Sequence, residues 1–169
     1  MPLYSGTPDK GVESTLHSLP IEELFAPGKI TDKDAARRCL AGLWLLYDYL
    51  EECHRIAQAF ETKEAAYWHA IMHRREGDFS NSGYWWRRVG DHPTFSHLRN
   101  EAKNLAEKSK APEATAFLVK QSRWDPFAFV DLCEACVKGK VPAEDLCKQI
   151  QVAEWRLLFD YCYRKAIGH

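Results

Sequence analysis

From residue 33 to 59 the chain reads KDAARRCLAGLWLLYDYLEECHRIAQA, and Leu40, Leu43, Trp44, Tyr47, Leu50 and Ile56 recur near the 3.6-residue period of a helix. Thr31-Asp32 precede the run and offer a side-chain oxygen to the first free amides, so the pattern predicts a helix starting there. A helix continuing unbroken to residue 76 would be far longer than a compact domain uses. A tight turn is therefore placed at Glu61-Thr62-Lys63, with Thr62 capping a second helix over 64–76 that Gly77 ends. A short helix over 81–89 stops at Gly90, and Pro93 suits the first position of a helix over 93–109. Another covers 112–121, and Asp125-Pro126 and Val141-Pro142 open two more, ended by Gly139 and Gly168. Gly42, inside the first helix, marks close packing against a neighbour.

Almost no segment alternates with the two-residue period of a strand, and no repeat or low-complexity block is present. The expectation is an all-α fold: a single-domain helical bundle of four to five main helices plus short helices, spanning 31–169. Residues 1–30 are rich in Gly, Pro and Ser and read as an irregular N-terminal arm packed on that domain, with one short helical candidate in PIEELF.

Composition narrows the function classes. A chain of 169 residues with 46% hydrophobic and 28% charged positions is long enough to bury a core and has the balance of a soluble globular protein. The net charge of −1 provides no global field for nucleic acid or an anionic membrane, so neither is expected as a partner. The N-terminus MPLYSGTPDKG lacks a basic stretch followed by an apolar run, and six cysteines without secretory features fit reduced thiols, so a cytoplasmic location is expected. Cys133 and Cys136 form a C-x-x-C, but no second pair follows at zinc-ribbon spacing and no βαβ pattern surrounds it. They read as small core residues.

Chemistry concentrates in YWHAIMHRREGDFSN, residues 67–81. His69 and His73 are four apart on the second helix and share a face, the spacing with which a helix offers two imidazoles to one divalent ion. The metalloprotease motif is excluded, because Ala70 stands where that motif needs its glutamate. If the first two helices form an antiparallel hairpin, His54 and His69 lie at similar height, about 11 Å from the turn. Glu51 then approaches the level of His73, and Glu76 continues the histidine stripe. His54, His69 and His73 are the candidate metal ligands, zinc being the best fit, with Glu51 or Glu76 as fourth ligand or as base for a bound water. Arg74, Arg75, Arg87 and Arg88 are candidates to hold a small anionic ligand, with Asp78, Asn81, Tyr84, Trp85 and His92 around them. The competing assignment for an inward-facing arginine is a bridge to Glu76, Asp78 or Asp91. Adjacent positions on a helix diverge by about 100°, so each pair is expected to send one guanidinium inward and one outward. No nucleophile elbow or glycine-rich phosphate loop occurs.

The segment LYDYLEECHRIAQ, followed by YWHAIMHRREGDFSNSGYWWRRVGDHPTF, resembles an uncharacterised family of small all-helical proteins from bacteria and some fungi. That family shows a D-x-L-[DE]-x-[SC]-H segment and then W-H-x-[IL]-x-H-R-R-E-x-D-[FY]-x-N-x-x-Y-W. The resemblance covers about residues 45 to 95 and departs mildly at Gly83, a weak helix former inside the short helix. It implies a shared site around His54, His69 and His73 and supplies no chemistry for it. Two functions remain open: a metal-binding protein, with metal-dependent hydrolysis as the activity it would suit, and a metal-free ligand or protein-interaction module built on a structural hydrogen-bond network.

Overall fold

The computed structural model describes residues 1–109 and 113–169. Among the described residues the chain is all-α, with nine α-helices, two 3-10 turns and no strand. The helices are α1 (Lys10–Ser18), α2 (Lys33–Leu46), α3 (Leu50–Ala57), α4 (Lys63–Glu76), α5 (Phe79–Val89), α6 (Phe95–Lys108), α7 (Phe117–Lys120), α8 (Pro126–Val137) and α9 (Glu144–Ile167). Of the helix expected over 112–121, residue 112 lies outside the described residues; the rest forms a 3-10 turn at Glu113–Thr115 and α7. None of the described helices is long and apolar enough to cross a membrane.

Local chemistry fixes most of the ends. The Asp32 carboxylate accepts from the Ala35 amide at 2.8 Å to start α2, and Thr62 Oγ1 accepts from Ala65 at 3.3 Å to start α4. Gly77 closes α4 with φ of 83°, a backbone conformation that glycine adopts without a side-chain clash. The Asp125 carboxylate caps α8, whose first residue is Pro126.

The continuous helix expected through residue 60 is broken at Tyr47–Tyr49, where Asp48 takes φ of 72°. Neither glycine nor proline marks the break. Its cause lies in α4: Arg75 donates through Nη1 to the Leu45 carbonyl and through Nη2 to Asp48 Oδ1 at 2.5 Å. The guanidinium thus shares the Leu45 carbonyl with the Asp48 amide, which donates to it at 3.3 Å, and pairs the carboxylate of a residue whose left-handed backbone aspartate tolerates better than most residues. The arm runs over the same corner. Ser5 N donates to the Arg75 carbonyl at 2.6 Å, Asp9 N to Tyr47 O at 3.2 Å, and Tyr49 Oη to Asp9 O at 3.0 Å. Helix α1 lies within this arm, where the sequence pattern predicts no helix.

At the centre stands α4, packed against α2, α3 and α5, while α9 packs on α2, α6 and α8. Every residue of α4 from Glu64 to Arg75 is buried, yet five of them carry acidic or basic side chains: Glu64, His69, His73, Arg74 and Arg75. A helix buried on all sides is normally apolar on all sides. Each polar group here therefore calls for a partner, and following those partners leads to the site.

Gly42 lets α2 approach α4 and α9 closely. A Cβ there would lie 2.8 Å from Trp68 Cζ2 and 3.3 Å from Phe159 Cδ2, and the Gly42 carbonyl accepts from Trp155 Nε1 at 2.7 Å. Helix propensity alone would make alanine stabilising by about 1 kcal/mol, but overpacking against a buried indole costs about 1–3 kcal/mol. Gly42→Ala is expected to lower the urea midpoint; a raised midpoint would mean that the Trp68 ring yields at little cost.

All six cysteines are free and buried. Cys133 and Cys136 face α9, where Cys136 Sγ lies 3.7 Å from Cys147 Sγ, inside the core.

Candidate functional site

Three elements deliver the candidate groups. His54 sits in the last turn of α3, His69 and His73 one turn apart on α4, and Asn81 and Trp85 on α5. Because α3 and α4 are adjacent and joined by a short turn, His54 meets the α4 pair. Its ring centre lies 5.0 Å from that of His69 and 5.4 Å from that of His73, and the α4 pair is 6.0 Å apart. Trp85 closes one side, stacked on His69 at 3.9 Å with the planes 3° apart.

The three rings are not equivalent. His73 Nδ1 lies 2.9 Å from Glu76 Oε2, one turn on, and the Asn81 side-chain nitrogen is 3.2 Å from His73 Nε2 and 3.4 Å from Nδ1. When Nδ1 donates to Glu76, the lone pair resides on Nε2. His69 is 1% exposed, and neither of its ring nitrogens makes a well-formed hydrogen bond among the described residues; the Ala65 backbone, one turn back, is the nearest partner that bears on the ring. Burial, with lesser contributions from His54 and His73, lowers its pKa to about 4, so the ring stays neutral at physiological pH. The Ala65 carbonyl can serve only the ring N–H, so the lone pair of this neutral buried imidazole is an open valence.

The other expected residues fall into separate places. Glu51, in the first turn of α3, is exposed and has no hydrogen bond or ion pair among the described residues. Asp78 is exposed and caps α5 by accepting from Asn81 N at 3.0 Å. Arg87 and Arg88 are both exposed, and Arg88 lies over Trp85, 5.4 Å from its ring centre, and bonds Tyr84 Oη at 3.4 Å. A cleft of about 270 Å³ opens beside Trp85 and Arg88, bounded by Phe60, Lys63 and Ala66. His92 is packed against Tyr67 and Tyr161, apart from the other three, with Nδ1 held by Thr94. Burial lowers its pKa to about 4.

Arg74 and Arg75 differ most from expectation. Both point inward, at 1% and 0% exposure, rather than one in and one out. Arg74 pairs with Glu154 and bonds Gln151 on α9, and Arg75 pairs with Asp48. Neither reaches Glu76, Asp78 or Asp91, and neither leaves a guanidinium face on the rim of the histidines. The partners that sequence reasoning did not find are Glu154, Gln151 and Asp48. The Q-x-x-E spacing on α9 places Gln151 and Glu154 on one face, but nothing in it says which helix they meet.

Among the described residues, no group of three or more His, Cys, Asp or Glu side chains stands in a metal-ligating arrangement. No protein-family model, curated protein or solved structure matches the chain.

Proposed function

We propose that His54, His69 and His73 hold one divalent metal ion, with zinc the best fit, in a site that handles a small anionic ligand. The carrying observation is His69, an unpartnered, neutral, buried imidazole between two others. Imidazoles sharing a zinc ion place their ring centres about 3.2 Å from it, hence roughly 5–6 Å from one another. The 5.0, 5.4 and 6.0 Å separations fall in that interval. Rotation about the last side-chain torsion of a histidine is soft, so turning the His54 and His69 rings would aim nitrogens at a common point without moving either helix.

The Glu76 carboxylate on His73 Nδ1 supports the same reading, because ligating histidines usually donate their second nitrogen to a carboxylate or carbonyl. Three histidine ligands leave a fourth position open, and an ion so held acidifies a bound water and polarises an ester or phosphoryl oxygen, which is hydrolytic chemistry. Arg88 and Arg87, exposed on α5, carry the positive charge available to an anion entering from solvent, and Trp85 gives it an apolar wall. Of the two carboxylates near the histidines in sequence, Glu76 is engaged with His73, and Glu51, exposed and without a partner among the described residues, is the one free to serve as base.

The second reading is a metal-free ligand or protein-interaction module. It is favoured by the absence of a ready-made ligand arrangement among the described residues and by the flat stack of His69 on Trp85. Metal analysis of protein produced without a histidine tag separates the two. About one zinc per chain, with a melting temperature that falls on chelation, is the expected result. A chain free of stoichiometric metal, whose melting ignores both chelator and added zinc, leaves the second reading standing.

A further inference from the structure

A cavity of about 410 Å³ opens at the N-terminal end of α6, away from the histidine group. His92 and Trp124 form part of its wall at 4% and 5% exposure, and behind that wall two fully buried nitrogens, His92 Nε2 and Trp124 Nε1, lack partners among the described residues. The His92 tautomer follows from its neighbours: the Thr94 amide can only donate, and it does so to Nδ1 at 3.3 Å. The ring proton therefore resides on Nε2, and both orphaned nitrogens are donors.

The charged wall points the same way. Arg99 spends Nε on the Gln121 carbonyl at 2.9 Å and Nη1 on Asn100 at 2.9 Å, which leaves Nη2 uncommitted among the described residues. Arg123 is 80% exposed and touches the Asp91 carboxylate only at 3.5 Å. Helix α6 begins at the cavity without a side-chain cap; its Phe95 amide is taken by the His92 carbonyl at 3.0 Å, and the partial positive charge of its N-terminus lies beside Ser96 on the cavity wall. Against these donors stands one carboxylate, Asp91, at the mouth. Phe95 and Trp124 supply a flat apolar surface.

We infer that this cavity binds a phosphate monoester carried on a planar apolar group. Arg99 with its uncommitted Nη2, the loosely held Arg123 and the Ser96 hydroxyl call for an acceptor-rich anion, and a phosphate brings three terminal oxygens where a carboxylate brings two. The aromatic surface accommodates a flat ring, and the volume lies within the range of small-molecule sites. The site is independent of the proposed metal centre: the groups that bear electrostatically on His92 are Glu64, Lys63, Lys165 and Asp91, whereas His69 responds to His54, His73 and Arg88.

Calorimetric titration of the full chain with phenyl phosphate at low ionic strength tests the inference. One saturable site is expected, weakened about ten-fold or more in Arg123→Gln and in Arg99→Gln, and unchanged in His69→Ala. Inorganic phosphate and benzoate are expected to bind more weakly than phenyl phosphate, each lacking half of what the cavity recognises. Arg123, being exposed, can be changed without disturbing the core, so a loss in that variant is not a folding defect. The inference is overturned by no saturable heat up to about 10 mM phenyl phosphate, by equal binding in both arginine variants, or by benzoate matching phenyl phosphate. Affinity lost in His69→Ala but kept in the arginine variants would place the phosphate at the histidines and overturn it as well.

Discussion

Arg74→Met is expected to destabilise the protein by about 3–5 kcal/mol at neutral pH, most of which the second substitution Glu154→Leu should restore. The guanidinium of Arg74 and the carboxylate of Glu154 are both fully buried and paired across α4 and α9. Gln151 Oε1 accepts from Arg74 Nε at 3.3 Å and Nη2 at 3.1 Å, Tyr67 Oη lies 3.5 Å from Glu154 Oε1, and the guanidinium rests 4.8 Å over Phe129. Burial pushes the Glu154 carboxyl up from its ordinary range, and Arg74 opposes that push. Methionine keeps the apolar bulk of the arginine stem and removes the charge, so Glu154 is left ionised without a counter-charge or must take up a proton. In the variant the folded-state pKa of Glu154 rises further above its unfolded value. The folded state then binds more protons than the unfolded state, and stability falls as pH rises through that window. The deficit read by urea denaturation should therefore be larger at pH 8 than at pH 5. A double variant as unstable as the single one would assign the loss to packing over Phe129 instead of the stranded carboxylate.

This buried pair also shows where sequence reading reaches its limit. Caps and stops such as Thr62, Gly77, Asp125-Pro126 and Gly168 are legible because their bonds close within a few residues. The neighbourhood of His54, His69 and His73 is legible for the same reason: one pair is set by helical period and the third by a short hairpin. The arginines are not. Their nearest acids in sequence are Glu76 and Asp78, but Arg74 finds Glu154, 80 positions away, and Arg75 finds Asp48, 27 positions away. A run of adjacent charges gives no hint that all of its sides will be buried. The break between α2 and α3 was hidden likewise, since Asp48 is turned into the left-handed region by a guanidinium from another helix. Glu51, one turn before His54, is exposed, a placement that helical spacing alone does not give.

In the proposed metal centre, His69→Ala is expected to abolish saturable zinc binding, while Glu76→Gln should weaken it by about 10–100-fold and keep the stoichiometry. The two act on different links. His69 offers an imidazole lone pair that no donor among the described residues occupies, so its loss removes a ligand outright. Glu76 is 38% exposed and reaches the ion only through His73, whose Nδ1 it holds at 2.9 Å; glutamine keeps an acceptor there and loses the charge that makes His73 a stronger base. Melting adds an independent readout. Zinc at about one hundred times its Kd should stabilise the parent chain by about 2.7 kcal/mol, and it should leave His69→Ala where the chelated protein melts. Glu76→Gln should recover the full zinc-induced rise once the ion concentration is increased in proportion to the lost affinity. A surface artefact behaves differently, because zinc scavenged by exposed carboxylates or by His97 would bind both variants as it binds the parent. Equal affinity in His69→Ala would remove the metal from this position and leave an imidazole buried against Trp85 with no hydrogen bond, a cost that only a ligand of the metal-free kind could then offset.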